Sequence, residues 1–261
     1  MSDELNDPGL SRRGLIVAGT ALGGLLLSAC DRLSQAPQAL KLIDHTEGLT
    51  QRAQRLFLAG QPLAPEFKAA DISPTFKPNG SFRPSDPAYL AMLENGFADW
   101  KLAVTGLVQR PLAISLAQLK ALPNRTQITR HDCVEGWSAI AQWTGPQLGT
   151  ILHAAGLQPH ARYVVFHCAD NLGGAGDAGK YYESIDLFDA FHPQTILAHT
   201  MNNQPLAVPH GAPIRLRVER QLGYKQAKYV MRIEVTDRLS GFGSGSGGFW
   251  EDRGYEWYAG I

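Results

Sequence analysis

Arg130-His131-Asp132-Cys133-Val134-Glu135-Gly136-Trp137-Ser138 is the stretch on which the reading of this chain turns. Residues 126–132 predict a strand that runs into Cys133, and the glycine-containing segment after it predicts a turn. A thiol at a strand end, on a connection, stands where functional groups are usually carried. Its thiolate is a soft anionic ligand that neighbouring positive charge or a metal keeps deprotonated. The competing reading of the same residue is an inert, buried cysteine.

Outward from that stretch, Leu102, Val104 and Gly106 alternate with Lys101, Ala103 and Thr105, which predicts a strand. Asp86-Pro87 reads as an N-cap with proline at the first helical position, and Gly96 as the stop of that helix. Ser115 and Gln118 form a capping box whose short helix Pro123 ends. A helix over 147–155 closes at Gly156, and strands are expected over 163–168, 214–218 and 229–235. Residues 72–83 are too rich in Pro, Gly and Asn for a regular element. With no regular βαβ repeat, the expected class is α+β. The Gly/Ser run 241–248 is expected to be flexible by composition, and the aromatic tail after it to dock on the domain.

The chain has 261 residues, 44% of them hydrophobic, with 24 basic against 24 acidic side chains, so no charge excess points to nucleic acid. Ser11-Arg12-Arg13-Gly14-Leu15-Ile16 resembles a twin-arginine export motif, and Leu27-Ser28-Ala29-Cys30 resembles a bacterial lipoprotein box. The expected organisation is a signal peptide over 1–29, a tether with a short helix near 50–58 within 30–70, and a catalytic domain over 71–261. Lipidated Cys30 would hold the protein in the periplasm at the inner membrane. Cys133 and Cys168 then remain, either as a disulfide in that oxidising compartment or with one of them on a metal. No Cys-x-x-Cys-His motif occurs, so any haem must sit on another chain.

Cys133-Val134-Glu135-Gly136-Trp137-Ser138, with Trp143-Thr144-Gly145 beyond it, closely resembles the molybdenum-ligand segment of the sulfite-oxidase fold family. The branch it is most similar to comprises bacterial periplasmic enzymes that include methionine-sulfoxide reductase catalytic subunits. His210-Gly211-Ala212-Pro213-Ile214-Arg215 and Gly223-Tyr224-Lys225-Gln226-Ala227-Lys228 resemble the family's two pterin-phosphate segments. Residues 201–206 and 254–261 also match, so the resemblance spans roughly 71–261 and rests on several ordered segments.

The resemblance implies a sulfite-oxidase-type fold of mixed sheets and a molybdenum-molybdopterin cofactor with one pyranopterin, the metal held by Cys133. It implies phosphate contacts from Arg215, Lys225 and Lys228, a donor in His210, and pterin contacts along Gln226 and Ala227. Cys168 stands where relatives contact the pterin through Thr, and 76–80 where their N-terminal pterin loop falls. Tyr181, with Tyr182 as the alternative, lines the substrate side. The implied reaction is two-electron oxygen-atom transfer, with electrons exchanged through a separate redox partner such as a membrane haem protein or cytochrome. The sulfite-oxidising branch places arginines directly after the metal cysteine, whereas here Val134 and Glu135 follow. Its immunoglobulin-like dimerisation domain is also not read here, so a monomer is expected. Both departures favour a neutral S-oxide or N-oxide, small or protein-borne, over sulfite. The rivals are a Cys/His hydrolase, a zinc protein using Cys133, Cys168, His131 and His167, and a metal-free lipoprotein binding module.

Overall fold

The computed structural model describes residues 63–173 and 179–261. The twin-arginine motif, Cys30 and the expected helix near 50–58 lie outside them. In chain order the regular elements are α1 (Pro87–Glu94), β1 (Lys101–Gly106), β2 (Leu112–Ser115), α2 (Leu116–Ala121), β3 (Asn124–Cys133), β4 (Trp137–Pro146) and α3 (Leu148–Ala155). There follow β5 (Tyr163–Asn171), β6 (Lys180–Asp186), α4 (Leu187–Ala190), β7 (Ile196–Ala198), β8 (Thr200–Met201), β9 (Gln204–Pro205), β10 (Arg215–Arg217) and β11 (Val230–Thr236).

The local signals produce the elements expected of them. Asp86 caps α1 by accepting from Ala88 N and Tyr89 N at 2.9 and 3.1 Å. Ser115 and Gln118 close the reciprocal capping box of α2, satisfying two backbone donors that the helix leaves open. Gly156 ends α3 with φ 68°.

A five-stranded sheet runs in the order β2-β1-β11-β5-β6, with β1 parallel to β11 and the other neighbours antiparallel. A four-stranded antiparallel sheet has the order β3-β4-β8-β9, and β10 pairs with β7. The mixed sheets with few helices are the α+β class. Leu102, Val104, Val164, Phe166, Ile233 and Val235 of the large sheet are buried in the main apolar core. Each such large side chain contributes about 1.5–3 kcal/mol by leaving water. Trp143, Phe76, Ala141, Ile196 and Ala198 form a second apolar cluster under the four-stranded sheet.

Two expectations need correction. The Gly/Ser run is tied down rather than loose. Ser244 N and Ser246 N donate to the Asp252 carboxylate, Ser184 Oγ bonds Gly247 O, and Gly245 N bonds Phe242 O. Its composition serves close approach, not slack. Strands β2, β4 and β6 to β9 were also not foreseen: β4 was passed over between the Cys133 segment and α3, Glu183 and Ser184 are buried inside β6, which breaks the apolar alternation, and β2 and β7 to β9 are two to four residues long.

Candidate active site

Register pairing along β3 and β4 runs without interruption to Cys133↔Trp137, so Cys133 is the last paired residue before a three-residue loop. Gly136 takes φ 83°, the left-handed conformation such a loop needs, and its N–H donates to Cys133 O at 3.0 Å. The thiol is therefore set at a hairpin tip. Burial pushes its pKa up, and the backbone around Glu135 and the Lys77 ammonium only partly oppose this. Burial thus favours the neutral thiol over the thiolate, and a bound metal is what would reverse that preference.

Alternation places His131 on the same face of β3 as Cys133, fully buried. Arg217 Nη1 lies 3.1 Å from His131 Nδ1. A guanidinium only donates, so His131 Nδ1 accepts and the proton sits on Nε2. Burial, then the Arg217 and Arg215 charges, hold this imidazole neutral by lowering its pKa well below the usual range. Glu219 grips Arg217 through both carboxylate oxygens at 2.9 and 2.6 Å, and Gln127 Nε2 adds a donor to Glu219 at 2.8 Å.

Arg215 differs from its neighbour. It lies two residues away on the same face of β10, so both guanidinium groups meet the Trp143 ring, at 5.0 and 4.4 Å. Yet Arg215, 0% exposed, has only two long bonds, to His210 O at 3.2 Å and Gln226 O at 3.3 Å. Its Nε has no partner. Burial and the Arg217 charge lower its pKa to about 9. One buried cation of the pair thus has its carboxylate and the other does not.

Lys228 Nζ donates to Asn79 O, Ser81 O and Pro209 O at 2.6, 2.5 and 2.9 Å, joining the 79–81 segment to the β10 region. Burial and the Arg215 charge bring it down to about 7. His210 is brought to about 4 by burial, then by Arg215 and Lys228, so it too is neutral. Lys225 is engaged elsewhere: its ammonium meets Glu183 and Glu251, each at 2.5 Å, in an ion triad with fully buried side chains. Cys168 is buried and free, and it lines a larger groove beside β6 rather than the cavity at Cys133. Ala227 is buried, and its carbonyl accepts from Leu216 N at 2.8 Å.

These elements enclose a cavity of about 150 Å³ lined by Cys133, Glu135, Gly223, Gln226 and Lys228 together with the aromatic residues Tyr181, Tyr224, Trp250 and Tyr255. Gly223 lets the cofactor-type loop close on β3, because a Cβ there would stand 2.5 Å from His131 Nε2. Of the two adjacent tyrosines, Tyr181 reaches the cavity and donates to Tyr224 O, whereas Tyr182 bonds Asp252 Oδ2 at 2.6 Å. Asp170 and Trp250 line the cavity without having been singled out in the sequence, whereas Asn79, Tyr224 and Tyr255 fall within the segments 76–80, 223–228 and 254–261 that were. Asp170, buried yet polar near the end of a strand, is the one with a visible signal.

The residues fit a molybdopterin. Asn79 Oδ1, Asp170 Oδ1, His210 Nδ1 and Arg215 Nε are all buried without a hydrogen-bond partner. Clustered orphans of both donor and acceptor type match a polar heterocycle with a phosphate, since buried polar atoms are otherwise paired. Among the described residues no three His, Cys, Asp or Glu side chains converge as a metal cage, which leaves the zinc reading without ligands. The two described cysteines form no disulfide.

Lys228 gives a pH test. Its folded pKa of about 7 lies below the ordinary 10.5, so between those values the unfolded chain binds more protons. Lys228 therefore weakens the cofactor-free fold fully below about pH 7, and the penalty fades as pH rises towards 10.5. Calorimetry of cofactor-free wild type and Lys228→Met is expected to show the stability difference shifting in favour of wild type as pH rises through that window. A pH-independent difference contradicts the assignment.

A profile for the family described as oxidoreductase molybdopterin-binding domain matches residues 90–241. A relative from Azospira oryzae, provisionally named protein-methionine-sulfoxide reductase subunit YedZ1, is 36% identical over 251 residues, 96% of this chain and 88% of its own length. The protein-methionine-sulfoxide reductase catalytic subunit MsrP of Gluconobacter oxydans is 35% identical over 147 residues, 53% of this chain and 47% of its own. The match thus spans about half the length of that relative. The sulfane dehydrogenase SoxCD from Paracoccus pantotrophus is a solved structure with a TM-score of 0.48 and 23% identity, covering 54% of this chain and 39% of its own.

Proposed function

This chain belongs to the family of molybdopterin-binding oxidoreductases, and on that footing we propose that it reduces a neutral S-oxide, in particular methionine sulfoxide carried on protein. The observation that carries the reading is the charge of the cavity. Arg130 Nε is turned to the Asp132 carboxylate at 2.8 Å, and the cavity at Cys133 is lined by no arginine. Its one lining cation, Lys228, is held by three carbonyls, while Glu135 presents a carboxylate beside the thiol, bonded to Trp137 Nε1 at 2.9 Å. An oxyanion finds no bidentate clamp there. The names of the relatives point the same way.

In this reading Cys133 holds the metal, and Arg215, Lys228, His210, Gln226 and the backbone at Ala227 hold the pterin and its phosphate. Arg215 contributes the cation without a carboxylate, so an anion there relieves a buried charge rather than competing for one. Lys225 fixes the 223–228 loop through Glu183 and Glu251, and Cys168 supports β5 behind the site. When bound, the group supplies two-electron oxygen-atom transfer, in which an S-oxide, two electrons and two protons give a sulfide and water. Tyr181 shapes the substrate side, and neutral His131, its tautomer set by Arg217, offers its Nε2 proton as a fixed donor. Electrons come from a separate redox protein, such as a membrane haem protein or cytochrome.

Steady-state assays with an artificial donor for sulfoxides and an acceptor for sulfite test this. The specificity constant for a neutral sulfoxide is expected to exceed that for sulfite by at least about tenfold, roughly 1.4 kcal/mol of transition-state preference. Sulfite turnover that matches or beats every sulfoxide tried removes the reading.

The reading extends to location: exported by its twin-arginine leader, the chain is anchored at Cys30 and works in the periplasm as a monomer. The mass of the mature N-terminus reports this directly, since diacylated Cys30 is expected as the first residue. A processed chain with unmodified Cys30 contradicts the anchor.

A further inference from the structure

We propose that Trp250 and Tyr255 are the platform on which the side chain carrying the oxide is held, and that they set a preference for methionine sulfoxide on protein over small sulfoxides. The proposal deepens, and rests on, the S-oxide reading above.

The platform is built rather than incidental. Phe249 N bonds Tyr182 O at 2.9 Å, which brings the tail back over β6. The short helix Glu251–Arg253 then reverses the chain, and Tyr255 N returns to Trp250 O at 3.1 Å. The result is a stacked pair of rings, 5.3 Å between centroids at 30°, with Tyr224 edge-on to Tyr255 at 5.2 Å and 89°. Glu251, between the two aromatic positions in sequence, is buried and bound to Lys225 at 2.5 Å. That ion pair fixes the turn carrying both rings, and the same lysine belongs to the 223–228 loop. One triad thus sets the cofactor-facing loop and the rings in common register.

Both rings line the cavity that holds the Cys133 thiol, yet Tyr255 stays 41% exposed and Val134, at the tip of the cysteine hairpin, 44%. An apolar surface therefore continues from the cavity to the outside, and open aromatic surface of this kind marks a binding site. Its occupant must be neutral, for the reasons of charge given above, and apolar on the side that meets the rings. A methylsulfinyl group on an aliphatic chain meets both demands, because it is uncharged while its methyl and methylene groups pack favourably on aromatic rings. Since the surface reaches beyond the cavity, contact also extends to the chain that carries the side chain. A small sulfoxide uses only the inner part.

The test compares an unstructured peptide bearing one methionine sulfoxide with dimethyl sulfoxide, on cofactor-loaded wild type, Tyr255→Ala and Tyr255→Phe. The ratio of kcat/KM for peptide to that for dimethyl sulfoxide is expected to fall at least about tenfold in Tyr255→Ala, mainly through KM. In Tyr255→Phe, which keeps the ring, the ratio stays within about twofold of wild type. An unchanged ratio in Tyr255→Ala, or an equal fall in Tyr255→Phe, overturns the platform. If wild type reduces neither compound, the S-oxide reading has failed, and tryptophan fluorescence titration with the peptide decides the platform alone. Weaker binding to Tyr255→Ala than to wild type then supports it, and equal Kd values overturn it.

Discussion

Cys133→Ser protein from a molybdate-replete host is expected to fold and to lose activity by more than about a hundredfold, with an altered metal spectroscopic signature. The bound follows from the lesser case: changing groups behind a metal ligand typically costs about 10–100-fold, and here the ligand itself is changed. The fold has little stake in this sulfur. Cys133 is only partly buried, forms no disulfide, and ends its strand through backbone pairing with Trp137 that serine also makes. Stability is expected to change by no more than about 0.5 kcal/mol. Unfolding curves establish that the protein is folded, elemental analysis gives its molybdenum content, and assays give the loss. Wild-type activity in the serine protein removes Cys133 from the metal.

The second large effect carries opposite signs for the fold and for the cofactor. Arg215→Met is expected to raise the stability of the cofactor-free protein by about 1–4 kcal/mol, while cofactor retention falls at least about tenfold. Arg215 is a buried cation without a carboxylate of its own, since Glu219 is taken up by Arg217 through both oxygens. An apolar side chain of similar length removes that desolvation cost and keeps contact with the Trp143 ring, 5.0 Å away. The same change removes charge-assisted bonds to a phosphate, worth roughly 1.5–3 kcal/mol each. Calorimetry of the cofactor-free protein and molybdenum content after gel filtration read the two effects separately. A destabilised empty protein would mean that Arg215 works for the fold, as Arg217 does. Arg217→Met provides that contrast, because it leaves Glu219 buried with the Gln127 amide but without its cation.

Sequence alone determined much of the frame and the centre of the site. The Asp86-Pro87 cap, the Ser115 and Gln118 box, the Gly156 stop and the strand running to Cys133 follow from rules that act within a few residues, and all are present. The ordered segments around Cys133, His210-Arg215 and Gly223-Lys228 pointed to the molybdopterin family, which the profile over 90–241 bears out. Tertiary structure alone decided how the charges were shared. Lys225 and Lys228 look alike in sequence, but one finds Glu183 across 42 residues and the other finds carbonyls up to 149 residues away. Arg215 and Arg217 share one face of one strand, and only the placing of Glu219 and of His131, 86 residues from Arg217, makes one a partnered cation and the other an available one. The Gly/Ser run was misread for the same reason: its composition describes a loose chain, and its anchors, Asp252 and Ser184, come from the tail and from β6. Caps, turns and alternation are local because they use neighbouring backbone groups. The partners of Lys225 and Lys228, the His131 contact of Arg217 and the open face of Tyr255 depend on contacts between distant segments, which exist only once the sheets have packed.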